Sequence, residues 1–138
     1  MPAVYLPICG IWRFSLIVRN VLSEEESVDW SKRTLDFAFE AGVECCVVIP
    51  TRPGNGAMDW LKSQGFFSPP SLASFEEVIE YGLRLNAGRV FTDLWDLEIF
   101  SDCQHCFEQR KSRLQEMNLR QTVQPKVKCA CSLRQYVN

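Results

Sequence analysis

Four cysteines in the last third of the chain, Cys103, Cys106, Cys129 and Cys131, have the type and spacing for metal chemistry. They form a CxxC pair and a CxC pair, separated by a stretch that fits one helix. If the chain folds back on itself the pairs converge, and four thiolates at tetrahedral spacing suit Zn²⁺ or the iron of an iron–sulfur centre. The CxC half is tighter than the CxxC of an ordinary zinc ribbon, and the alternative is four unrelated thiols. His105 lies inside the first pair, as a replacement ligand or a solvent-facing side chain. Lys126 and Lys128 beside the second pair, with Arg110 and Lys111 beyond the first, would offset a doubly negative four-thiolate zinc centre. A thioredoxin-type redox CxxC would open a helix just after a strand of its own fold, and the rest of that fold is missing from the sequence.

A second candidate is the glycine-rich loop Thr51-Arg52-Pro53-Gly54-Asn55-Gly56, which follows an apolar run over 43–49. The end of a parallel strand is where α/β proteins place ligands. Its glycines would let the backbone approach one, and Arg52 would meet a carboxylate or phosphate. The loop matches neither a P-loop nor a dinucleotide fingerprint, so a plain strand-to-helix turn is the competing reading. Asp93, Asp96 and Glu98 are carboxylates for acid–base work or, more simply, caps and solvated charges. Cys45 and Cys46 are neighbours on one strand, so they point to opposite faces and read as core packing.

The elements that must position these residues alternate in the α/β manner. Residues 12–18 read as a buried strand, and Ser23 with Glu26 forms a capping box for a helix over 24–41 that Gly42 ends. The β-branched and cysteine-rich run 43–49 reads as a strand covered on both faces, completing a βαβ unit. That helix carries two apolar stripes, Val28, Leu35 and Phe39 against Trp30, Phe37 and Ala41, and the second asks for another packing surface. A short helix over 57–64 follows, then a second capping box at Ser74 and Glu77 opening a helix to residue 85, with Gly88 as its stop. Its apolar stripe is Phe75, Val78, Ile79 and Gly82, with Glu80 and Arg84 paired on the outside. A third strand over 89–94, a charged helix over 107–119 and an extended tail over 123–131 complete the reading.

The length of 138 residues is one domain or a large piece of a bigger one, and 46% apolar residues are enough for a core. A net charge of −2 argues against a generally basic nucleic-acid or membrane-surface binder. No apolar stretch is long enough to span a bilayer. The first ten residues lack the basic region of a secretory signal, and an odd count of seven cysteines fits a cytoplasmic setting with reduced thiols.

Several stretches resemble the C-terminal part of a group of uncharacterised radical SAM proteins, in the branch that includes the Elongator catalytic subunit, tRNA methylthiotransferases and NifB-type proteins. They are Leu22-Ser-Glu-Glu-Glu-Ser-Val-Asp-Trp, Asp36-Phe-Ala-Phe-Glu-Ala-Gly, Ile49-Pro-Thr-Arg-Pro-Gly-Asn-Gly-Ala-Met and Glu80-Tyr-Gly-Leu. Gly88-Arg-Val-Phe-Thr-Asp-Leu-Trp-Asp-Leu-Glu is the most specific, joined by Cys103-x-x-Cys106, Met117-Asn-Leu and the terminal Cys-Ala-Cys. The resemblance implies the last βαβ of a partial (βα) barrel over 10–52, a post-barrel α/β segment over 53–100 and a cysteine-rich metal-binding extension over 101–138. It places Thr51, Arg52 and Asn55 near the barrel mouth as cofactor-binding candidates. In such a family a CxxxCxxC motif holds a 4Fe–4S cluster that cleaves S-adenosylmethionine to a radical. This sequence has no CxxxCxxC, so catalysis would need a missing N-terminal half as partner, and the four C-terminal cysteines would hold a separate zinc or auxiliary cluster. Residues 1–9 do not resemble the family, as expected if the reading frame starts inside a longer gene. A different class remains open: a free-standing zinc-binding α/β module that recognises protein or RNA, the latter through Arg110, Lys111, Arg113 and Arg120.

Overall fold

Ser23 starts the first helix of the computed structural model, which describes residues 23–54 and 56–131. Its hydroxyl accepts the Glu26 N–H at 3.2 Å while the Glu26 carboxylate accepts the Ser23 N–H at 2.6 Å, closing the expected capping box. Helix α1 spans Glu24–Glu40, and Gly42, left-handed at φ 86°, turns the chain towards strand β1, Cys45–Val48. Then follow α2 (Gly56–Ser63), α3 (Leu72–Leu85), β2 (Arg89–Thr92), a 3-10 turn (Leu97–Phe100) and α4 (Gln104–Arg120).

The class is mixed α/β, mostly helical, with one two-stranded parallel sheet among the described residues. The strand expected over 12–18, and with it half of the anticipated βαβ unit, lies outside the described residues. Instead β1 pairs with the strand expected over 89–94, Cys46 beside Val90 and Val48 beside Thr92. Helices α2 and α3 form the crossover that parallel pairing requires.

Burial along β1 alternates, so the run 43–49 is not covered equally on both faces as its composition suggested. Cys46, Val48 and Val90 are buried, whereas Cys45, Val47 and Phe91 are half-buried. The reason is where the helices lie. A Cβ on Gly82 of α3 would sit 3.0 Å from Leu35 of α1 and 3.1 Å from Val90, so these elements meet closely on one face. Of the two stripes on α1, Val28 and Leu35 are buried, while Trp30 and Phe37 stay more than half exposed.

Helix α4 lies along the edge of β2. The Val90 N–H donates to Gln121 Oε1 at 2.9 Å, and Gln121 Nε2 donates to the Val90 carbonyl at 3.1 Å. Asn118 repeats the pattern on Thr92 at 2.8 and 2.9 Å. Two side-chain amides thus take the place of a third strand and satisfy an edge that would otherwise invite pairing.

Three local expectations are corrected. Ser71, not Ser74, caps α3, and its hydroxyl accepts the Ser74 N–H at 3.1 Å. Helix α3 therefore starts directly after Pro69-Pro70, and Glu77 pairs with Lys32 instead of closing a box. Asn86, left-handed at φ 48°, ends α3, whereas Gly88 is glycine for space: a Cβ there would lie 2.7 Å from the Glu44 carbonyl. Glu80 does pair with Arg84, but its side chain is only 4% exposed and so faces inward. One hydrophobic core, from Val28 through Cys46, Ile79 and Val90 to Met117, draws on all three sequence segments.

Replacing Asn118 by Leu keeps the branched side-chain skeleton but leaves the Thr92 N–H and carbonyl without partners. The expected loss is roughly 1–3 kcal/mol, read as a lower urea midpoint with an unchanged slope.

Candidate metal centre

Helix α4 begins at Gln104, one turn earlier than the sequence suggested, because Cys103 serves as its N-cap residue. This puts Cys106 in the first helical turn. The extended segment after Gln121 returns along α4 and delivers Cys129 and Cys131 to the same place. All four Sγ atoms lie within 4.8 Å of one another. Cys103 and Cys129 approach to 3.9 Å, and Cys106 and Cys131 to 3.5 Å. A tetrahedron with metal–sulfur bonds of about 2.3 Å has sulfur–sulfur edges of about 3.8 Å, so the donor set fits a metal ion. The thiols are free, Cys106 is buried and the other three are half-buried. His105 is exposed and stands outside the group. A cleft of about 260 Å³ opens beside Cys103 and Cys131 and provides a path for an ion.

The metal-free thiols differ sharply in acidity. The Cys106 backbone N–H, followed by the Cys131 thiol, pulls Cys103 down to about 6. Burial, then the neighbouring thiols, pushes Cys106 up to about 12. Cys131 is also raised, first by Cys129.

Beneath the sulfurs lies an ion-pair network. Arg110 grips Glu76 through two bonds, at 3.1 and 2.7 Å, and its charge would be favoured further by Cys106 and Cys131 once they are ionised. Arg113 donates to Glu80 at 2.8 Å, with the two side chains 3% and 4% exposed. It also donates to the Gln124 and Pro125 carbonyls at 2.7 to 3.0 Å. Burial raises the Glu80 carboxyl, but the Arg113 guanidinium overrides it and holds the group below its ordinary value. Folding lowers this pKa, so the pair stabilises fully above the ordinary glutamate range and fails as pH falls through the folded value.

The loop candidates are placed differently. Arg52 turns inward, with an ion pair to Asp93 at 2.9 Å and a hydrogen bond to the Trp95 carbonyl. Its guanidinium lies 5.4 Å from the Trp95 ring centre and 5.9 Å from that of Phe100. It therefore ties the end of β1 to the end of β2. Thr51 is half-buried beside it, and Asn55 lies outside the described residues. Asp93 also accepts the Trp95 N–H at 3.1 Å, a local turn two residues on, whereas Asp96 precedes the 3-10 turn without a side-chain cap bond and Glu98 is exposed. Cys46 is buried and Cys45 half-buried, as opposite faces require, and burial, with Cys45 beside it, raises Cys46 to about 11. Of the other charges expected near the sulfurs, Lys111 sits 5.9 Å from the Phe107 ring centre and Lys126 reaches Glu80 at 4.0 Å.

No known protein family, curated protein or solved structure matches the chain. The cysteine group is the one set of potential metal ligands of this kind among the described residues. Sequence reasoning misses Glu76, Glu80 and Arg113 as its support: it pairs Glu80 on the outside, reads Arg113 as a phosphate contact or solvated charge, and gives Glu76 no reading. A signal was present: Glu76 falls on the helical stripe of Leu72, Ile79 and Leu83, where a charge must find a buried partner.

In reduced, metal-free protein, a short pulse of iodoacetamide at neutral pH should label Cys103 first and Cys106 and Cys46 last. Peptide mass spectrometry would read the order, and the Cys103 rate should fall as pH drops through about 6. Equal rates at Cys103 and Cys106 would contradict the geometry.

Proposed function

We propose that this chain is a metal-binding α/β module, with Cys103, Cys106, Cys129 and Cys131 as ligands, and that it forms the C-terminal segment of a radical SAM iron–sulfur protein. The observation that carries the metal reading is the convergence of four sulfurs from two distant segments to within 4.8 Å. That spacing favours one tetrahedral ion, zinc first. A 4Fe–4S cluster would interpose its own irons and sulfides and hold its four cysteines farther apart. Four thiolates saturate a zinc ion and leave no open position, so the ion's role here is to cross-link the return segment to α4. The residues around it add charge balance through Arg110 and solvent exclusion through Cys106.

The radical SAM reading rests on the resemblance of the sequence stretches named above, and the chain has no CxxxCxxC of its own. On this reading the radical chemistry resides in an N-terminal half, and Arg52 shapes the strand ends that face it. The second reading, a free-standing zinc module, favours protein over RNA as its partner. Arg110, Arg113 and Arg120 are all paired with carboxylates, whereas Trp30, Phe37, Trp60 and Trp95 are more than half exposed.

The test is anaerobic purification with assay of zinc, iron and acid-labile sulfide, beside a Cys103→Ser/Cys129→Ser variant. About one zinc per chain, lost in the variant, is the expected result. Iron with sulfide would replace the single ion by an auxiliary cluster, and folded protein with no metal would overturn the site. A CxxxCxxC encoded immediately upstream in the same locus would support the radical SAM reading, and its absence there would favour the free-standing module.

A further inference from the structure

The segment between Gln121 and Cys129 has neither helix nor strand, so no backbone ladder holds it on the protein. Val123 packs partly against the core, Lys126 reaches Glu80 at 4.0 Å from an exposed position, and the hydrogen-bonded attachment of the segment to α4 is Arg113. Arg113 stands two turns after Cys106 on α4, since seven residues make about two turns. Its planar guanidinium holds the Gln124 and Pro125 carbonyls while Glu80 neutralises it from α3. Pro125 is only four residues before Cys129, a tether of at most about 14 Å, so holding Pro125 confines Cys129 to the neighbourhood of α4. Confinement by a short tether raises the effective concentration of the second cysteine pair at the first.

We propose that Arg113 is the positioning residue of the metal centre: it docks the return segment in the metal-free protein and so preforms the half-site of Cys129 and Cys131. The consequence for metal affinity rests on the metal-binding reading above; the docking rests on the hydrogen bonds alone. Arg113→Lys preserves the charge that Glu80 needs, but a single ammonium cannot reproduce the fork that reaches Glu80 and two carbonyls together.

The experiment uses the full chain with two readouts. Co²⁺ is titrated anaerobically into reduced protein and followed by its thiolate absorption bands. Separately, metal-free protein is treated with dibromobimane, which becomes fluorescent on bridging two thiols, and the linked peptides are identified. Wild-type protein should bind Co²⁺ and, without metal, give bridges between the Cys103/Cys106 and Cys129/Cys131 peptides. Arg113→Lys should bind Co²⁺ about 10–100-fold more weakly with the same band positions, and lose the long-range bridges. Val28→Ala, which weakens the core at α1 away from the clamp, should keep both properties and so separates positioning from general destabilisation. Wild-type affinity and bridging in Arg113→Lys would overturn the proposal. Should that variant not fold, the wild-type protein decides: long-range bridges no more abundant in metal-free native protein than in urea also overturn it. Wild-type protein that bridges but binds no Co²⁺ leaves the docking intact and removes the metal reading instead.

Discussion

A buried positive charge sits at the junction of α3, α4 and the return segment, and much of the molecule is arranged to compensate it. Arg113 is almost fully shielded from water, so its guanidinium must be neutralised and its donors occupied. Glu80 supplies the neutralisation and two main-chain carbonyls take up donors that face the return segment. Such a pair adds little over an apolar substitute, but removing one member costs several kcal/mol because the other is left charged and alone. Its value lies in geometry. Arg113 Nη1 faces Glu76 at 3.7 Å, and the arrangement of three chain segments that engages Glu80 and the two carbonyls also brings the two cysteine pairs together. The exposed Glu116–Arg120 pair, a turn away on the same helix, imposes no comparable constraint.

Helix α4 therefore carries several duties along its length. Its first turn presents Cys106, its middle carries Arg110 and Arg113 to the carboxylates of α3, and its end lends Asn118 and Gln121 to the edge of β2. Leu114 and Met117, both fully buried, lie between these polar contacts and join α4 to the shared core. A sheet of two strands is too small to be stable alone, and the amide pairing makes α4 part of it. The cysteine cluster, the ion pairs and the sheet edge are thus coupled through one helix.

The C-terminal ends of the two strands are joined by Arg52. The sequence presented this arginine as free to meet an anionic ligand, and the fold gives it an internal one in Asp93. Trp95 covers the pair from outside and leaves most of its own ring in solvent. None of the described helices is long and apolar enough to cross a membrane.

Local patterns were legible in the residues themselves. Ser23 and Glu26 specify a helix start, Gly42 a left-handed stop, Phe75, Val78, Ile79 and Gly82 a buried stripe, and the paired cysteines a group able to hold a metal ion. The helix signals depend on contacts within a turn or on a helical period, and each cysteine pair on its own close spacing, all of which the sequence encodes locally. What tertiary structure decided were the pairings across long separations: β1 with β2, Asn118 and Gln121 with a strand edge, and Arg113 with Glu80 and the return segment. A charged or amide side chain reads the same on a surface as in a core, because its partner is named by no local pattern. Only when α3, α4 and the tail meet does desolvation force each of these groups to take one partner, and that choice aligns the four sulfurs.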